Sequence, residues 1–302
     1  MRFLIRVFII IVSFGFISIL WFIRRHTPLI QDNLSIKDEG ADSPVTFDTL
    51  LHVQLLKKKT LRSFCSKRSK INQLPHTQQE ASQTLSSIAV NNKFNFLYCK
   101  APGTGVEGWE QLLEMLMEKE DVTLQMPVHY HQQFGTSKAL SEYNVTSMEA
   151  MLKSYTKVIF IRDPFQRLIY AYMHGLAEGL NFEEFIQYIL DGQSRNANAE
   201  WTPLVSLCHP CIVQYDYIVM FGFLGSEVRH LMLQTGFPES IQIPEFIDSK
   251  VRWTYSWLEE QMFNELSLVQ RKQLCHFFRF DFAAFRFPHS LLWDLTCISE
   301  SS

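Results

Sequence analysis

The sequence predicts an α/β domain of three layers with a central parallel sheet, preceded by an N-terminal transmembrane helix. Three observations lead there. Short apolar runs at Phe94–Tyr98 and Val158–Ile161 each lead through a Pro-containing loop into apolar residues at helical spacing. Asn181 with Glu184, and Ser267 with Gln270, read as capping boxes opening helices over Phe182–Leu190 and Leu268–Phe278. Residues 7–23 carry no charge at all.

The two strand–loop–helix units set the fold class. Trp109, Leu112, Leu113 and Leu116 follow the first run at helical spacing; Leu168, Ile169 and Tyr172 follow the second, where Pro164 suits the first helical turn. Strands alternating with helices pair in parallel through right-handed crossovers, so ligands are expected at the carboxyl ends of the strands.

The anchor is argued from length and flanks. Val7–Ile23, lengthened by Phe3–Ile5 if Arg6 snorkels, is about one bilayer crossing. Trp21, Phe22, Ile23, Arg24 and Arg25 stand where a signal-peptidase site needs small residues, so the segment reads as an uncleaved signal-anchor. Basic residues flank both sides, and the positive-inside rule does not choose an orientation. The sequons at Asn33 and Asn144 and the six cysteines favour a lumenal body in an oxidising compartment. The expected organisation is a cytoplasmic tail over 1–6, an anchor over 7–23, a polar stem with a short helix over 24–90, and the domain over 91–302. A net charge of −3 argues against nucleic acid, which requires a broad Lys/Arg excess.

Two loops carry the candidate site. Cys99–Trp109 contains Pro102, Gly103, Thr104 and Gly105 between strand and helix, where backbone N–H groups approach an anion at a helix N-terminus. It lacks the GxxxxGK[ST] pattern of a Walker loop. Ile161–Leu168 places Arg162 and Arg167 around the second strand-to-helix turn, where guanidinium groups grip phosphate. Cys208-His209-Pro210-Cys211 has the spacing of a redox pair, but it leads into an apolar run instead of opening a helix after a strand. A structural disulfide is the preferred reading of Cys208 and Cys211. Zinc held with His129 or His131 is the remaining option. Six cysteines permit 15 pairings, and spacing does not select one.

These segments resemble the 5'-phosphosulfate and 3'-phosphate loops of Golgi carbohydrate sulfotransferases, in the branch of the GalNAc-4-O- and chondroitin/dermatan sulfotransferases. The resemblance continues through Asn181–Phe185, Glu200–Pro203, Leu207–Ile218 and Phe280–Phe285, and covers roughly residues 94–287. It implies a P-loop-like sulfotransferase domain in a single-pass type II Golgi membrane protein. It also implies metal-free sulfonate transfer from PAPS (3'-phosphoadenosine 5'-phosphosulfate) to a hydroxyl of a glycan or glycosaminoglycan. Pro102, Gly103, Thr104, Gly105, Arg162, Arg167 and Tyr170 fall at its donor-binding positions.

Several of those positions depart from the family pattern C-x-x-P-K-x-G-x-[ST]-x-W. Gly103 replaces its lysine and Glu107 its hydroxyl residue. Tyr170 replaces a small hydroxyl in the second loop, Glu200 replaces the histidine before Trp201, and Gly222 stands where an acid is expected. A cation is lost and an anion added where the helix dipole receives the donor's charge. Glu200 is then the one candidate base. An inactive homologue that binds a glycan or associates with other Golgi enzymes is the alternative.

Overall fold

Apolar residues alternate along four short strands so that each strand feeds two separate cores, and this makes the sheet the middle layer. Ile159 and Ile161 face one core, Val158 and Phe160 the other; Leu97 and Cys99 are likewise divided from Phe96 and Tyr98. The structure, a computed structural model, describes residues 46–68, 76–121, 138–192, 198–246, 248–287 and 289–293. The anchor expected at 7–23, the sequon at Asn33 and His129 and His131 lie outside them. No helix among the described residues is long and apolar enough to cross a membrane.

The strands are β1 (Ile88–Asn91), β2 (Phe96–Cys99), β3 (Thr156–Ile161) and β4 (Tyr217–Met220), in the spatial order β1-β2-β3-β4. The helices in chain order are α1 (Phe47–Ser66), α2 (Gln78–Thr84), α3 (Val106–Asp121), α4 (Val145–Ser154), α5 (Pro164–Ala171) and α6 (Phe182–Leu190). They continue as α7 (Leu204–Cys208), α8 (Pro210–Val213), α9 (Leu224–Gln234), α10 (Asp248–Glu265), α11 (Leu268–Phe277) and α12 (Arg279–Phe285). Trp109, Leu112 and Leu113 of α3 pack on one sheet face with Leu224, Val228 and Leu231 of α9. Residues of α1, α5, α6, α7, α11 and α12 pack on the other.

The wholly parallel sheet is corrected to a mixed one. β2–β3 and β3–β4 pair in parallel, but β1 pairs antiparallel with β2 in the register Ile88↔Cys99. The reason is chain length: only residues 92–95 separate β1 from β2, too few for a crossover. Asn95 takes the left-handed φ of 56° that so short a connection demands. Both capping boxes form: Asn181 accepts from Glu184 N–H, Ser267 accepts from Gln270 N–H, and each partner side chain reaches back. Asn144 is exposed at the N-cap of α4, where its side chain accepts from Ser147 N–H at 2.8 Å.

The short helix expected within 24–90 is α1, which belongs to the compact unit beginning at Phe47. α1 covers the open edge of β4. The Gln54 amide donates to Ile218 O at 2.9 Å and accepts from Ile218 N–H at 3.0 Å, acting as a surrogate strand residue. Lys57 donates to the same carbonyl at 3.1 Å and pairs with Glu227 at 2.5 Å. Glu227 in turn accepts from Met220 N–H at 2.7 Å. A disulfide from Cys65 to Cys211 fixes the end of α1, and a second joins Cys99 to Cys208.

That pairing corrects the expected link between Cys208 and Cys211, and it removes the redox-pair and zinc readings, since both sulfurs are spent elsewhere. Left-handed His209, at φ 42°, separates α7 from α8, so the two sulfurs meet different neighbours. Removing one member of a buried ion pair strands the other charge. Lys57→Ala should therefore lower unfolding stability by about 3 kcal/mol, read from denaturant midpoints. Lys57→Met with Glu227→Gln, which keeps the acceptor for Met220, should recover part of that loss.

Candidate functional site

The parallel register of β2 on β3 brings the two loops together, because strands paired at Phe96↔Thr156 and Tyr98↔Val158 release their carboxyl ends side by side. The first loop turns through left-handed Gly103 (φ 72°) and Gly105 (φ 92°) before α3 begins. Thr104 is buried, and its hydroxyl donates to Ala101 O at 2.6 Å, so it holds the turn itself. In the second loop Asp163 caps α5 by accepting from Phe165 and Gln166 N–H at 2.8 and 3.2 Å. Pro164 occupies the first turn as expected.

Both arginines face inward and knit the loops together. Arg162 donates to Gly103 O at 3.0 Å, and its guanidinium lies 3.7 Å from the Phe221 ring centroid and 5.6 Å from that of Tyr170. Arg167 is 1% exposed and donates to Pro102 O at 3.5 Å, Thr202 O at 3.0 Å and Ala199 O at 2.8 Å. Burial pulls its pKa down to about 10 against the opposing pull of Asp281, Glu200 and Glu107. Asp281 is fully buried and accepts from Leu204 and Val205 N–H at 2.7 and 2.8 Å, fixing the same turn from below. Arg167 is thus engaged by three backbone carbonyls, and Arg162 by one carbonyl and the faces of two rings.

The departures at Gly103, Glu107 and Tyr170 form one spatial unit. Glu107, in the first turn of α3, accepts from Gly103 N–H at 3.0 Å. A loop amide just ahead of a helix start is what an incoming oxyanion would use. The Tyr170 ring covers Gly103 so closely that a Cβ there would stand 2.7 Å from Tyr170 Cδ1. A lysine at 103 is therefore blocked twice, by the left-handed backbone and by the ring. His174, in the turn after α5, stacks on Tyr170 at 3.8 Å and its Nδ1 lies 2.8 Å from Tyr170 O.

Glu200 sits on the turn that Arg167 holds, half-buried, with Oε2 lacking a hydrogen-bond partner. Burial raises its pKa, offset by Arg167 and reinforced by Glu107. Trp109 and Trp201 are core residues: Trp109 packs edge-on to Phe96 at 5.0 Å, Trp201 edge-on to Phe185 at 5.6 Å. Gly222 follows β4 with φ 96°, where a side chain would be strained. Phe221, His174 and Glu259 join the site without having been singled out in the sequence. Phe221 lies inside an apolar run, His174 is a lone polar residue after a helix, and Glu259 is one of the three consecutive polar residues Glu259, Glu260 and Gln261.

The fold is thus α/β, with a glycine-turned loop at the carboxyl end of β2 held against an arginine-bearing loop at the end of β3. The sequence pattern described as "Sulfotransferase family" matches residues 86–288, and the chain belongs to that family. It is similar to carbohydrate sulfotransferase 9 of Homo sapiens, 25% identical over 77% of this chain and 59% of the relative. It is also similar to carbohydrate sulfotransferase 14 of Danio rerio, 25% identical over 78% of this chain and 72% of the relative. Carbohydrate sulfotransferase 12 of Xenopus laevis is 26% identical over 78% and 69%. No solved structure matches the chain.

Glu259 of α10 accepts from Gln166 Nε2 at 3.0 Å and is 8% exposed. Burial, with Asp163 adding to it, pushes its pKa up to about 7 from an ordinary 4.5. Between pH 4.5 and 7 the unfolded chain releases this proton while the folded chain keeps it, so stability falls as pH rises through that window. The displacement corresponds to roughly 3 kcal/mol at full effect. Melting temperature measured from pH 4.5 to 8 should decline through this window, and Glu259→Gln should flatten the decline.

Proposed function

We propose that this chain is a lumenal Golgi homologue of the carbohydrate sulfotransferases that binds a GalNAc- or chondroitin-type glycan, or an active Golgi enzyme, with little or no sulfonate transfer of its own. The family reaction moves a sulfonate from PAPS to a glycan hydroxyl, and needs donors for the charge on the leaving phosphate. The observation that carries this reading is the Glu107 carboxylate on Gly103 N–H. The loop's anion position holds an anion of the protein's own. At an effective dielectric of ~20, a second negative charge 4 Å away is repelled by about 4 kcal/mol, roughly a thousandfold in affinity. Pairing of Cys65 and Cys99 in disulfides and the exposed Asn144 of a sequon support an oxidising lumenal setting.

A second reading has its own observation. Glu200 keeps one buried oxygen unpartnered beside Arg167, and its raised pKa suits a base that takes the proton of an acceptor hydroxyl. On that reading slow transfer persists and depends on Glu200.

Calorimetry of the full chain in detergent with adenosine 3',5'-bisphosphate, the desulfated donor, tests the first reading. The expected result is no saturation at micromolar ligand; micromolar binding would overturn it. Restoring Gly103→Lys and Glu107→Ser needs Tyr170→Ser as well, because the ring fills the space of the new side chain. This triple variant should bind at least about tenfold more tightly, given the repulsion removed. Radiolabelled sulfate transfer to a chondroitin panel separates the two readings: measurable turnover that Glu200→Gln abolishes would favour the second.

A further inference from the structure

The charge on this chain is unevenly placed. Residues 57–70 hold Lys57, Lys58, Lys59, Arg62, Lys67, Arg68 and Lys70, seven of the 28 Lys and Arg residues, and no Asp or Glu falls between Asp48 and Glu80. An acid-free basic segment in a chain of net charge −3 is a local choice, and the fold decides which face presents it. Lys57 turns inward to Glu227. Lys59, Arg62 and Lys67 are exposed, and Lys58 and Arg68 are half-buried. Among the described residues no ion pair engages Lys58, Lys59, Arg62 or Lys67.

Spacing aligns these cations. Lys58 and Lys59 precede Arg62 by four and three residues, which puts the three on neighbouring rows of one helix surface. From Lys58 to Ser66, the last residue of α1, the helix rises about 12 Å, and Lys67 and Arg68 follow directly. The patch continues onto α12. The Arg68 guanidinium lies 4.7 Å from the Phe280 ring centroid and that of Arg279 lies 4.4 Å from it, so one ring is flanked by two cations. The Cys65–Cys211 disulfide fixes this end of α1 on the domain, so the cations are displayed from a rigid support.

We propose that the face formed by Lys58, Lys59, Arg62, Lys67, Arg68 and Arg279 binds a polyanionic glycan, a chain bearing repeated sulfate or carboxylate groups. The disulfides Cys65–Cys211, within the basic segment, and Cys99–Cys208 favour a lumenal or extracellular partner over nucleic acid. Cations spread along a helix, past its end and onto a second helix fit a linear polymer better than a single small anion. The inference deepens the glycan-binding reading above and rests on it, yet it uses none of the donor-loop residues. Binding here is electrostatic and released by salt.

The test uses the full chain in detergent on immobilised chondroitin sulfate, across a salt series, beside Lys59→Glu/Arg62→Glu/Lys67→Glu. Arg68 and Arg279 are left intact because their guanidinium groups pack on Phe280. The wild-type chain is expected to bind. The variant should bind at least about tenfold more weakly, with a salt slope shallower by about two to three, and an unchanged melting temperature. Lys59→Arg/Lys67→Arg should bind like the wild type. Equal binding by the charge-reversed variant, or no wild-type binding, would overturn the proposal. So would preferential capture by phosphatidylserine vesicles, which would mark the face as a lipid surface. Adenosine 3',5'-bisphosphate binding, measured in parallel, should be the same in both proteins, so failure here is distinguishable from failure of the donor-loop reading.

Discussion

The buried guanidinium of Arg167 is the constraint around which the candidate site is arranged. A charge that is 1% exposed is tolerated only where its donors are met, and here three backbone carbonyls meet them. Those carbonyls belong to Pro102 in the first loop and to Ala199 and Thr202 in the turn carrying Glu200. Asp281 supplies the nearest opposite charge while capping the start of α7. Arg167 thus sets the distance between the helix-start loop and the Glu200 turn. Arg162 does the same between the first loop and the end of β4, through Gly103 O and the Phe221 ring.

Within that frame the residues that depart from the family pattern depend on one another. Tyr170 requires glycine at 103, because any Cβ there meets its ring. Gly103, once left-handed, presents its N–H to the first turn of α3, and Glu107 takes it. Glu107 in turn raises the cost of a charge on Glu200. Reversing a single residue leaves the others in place, which is why the departures behave as one altered site and not as scattered losses.

The same economy governs the far side of the domain. β4 would expose an edge to solvent, and α1 closes it with the Gln54 amide and the Lys57–Glu227 pair. Having spent its inward residues on the sheet, α1 turns Lys59 and Arg62 outward. A helix that the sequence assigned to a stem is therefore both a structural seal and a charged surface.

Local signals were legible in the sequence. The capping boxes at Asn181 and Ser267, Pro164 in its first turn, the strand at Val158–Ile161 and the two loops stand where local chemistry put them, because each depends on residues a few positions apart. The family itself was readable from the order of such segments. What needed the tertiary structure were relations between distant residues. Cys208 and Cys211 are three positions apart, yet their partners are Cys99 and Cys65, because a left-handed residue between two short helices turns them to different neighbours. β1 was missed because its four residues are too short to show a period, and its antiparallel pairing follows from the length of the turn after it. The sequence determined that Gly103, Glu107 and Tyr170 differ from the family; only the fold decided that they touch, since contact across two loops is fixed by strand register and not by spacing along the chain.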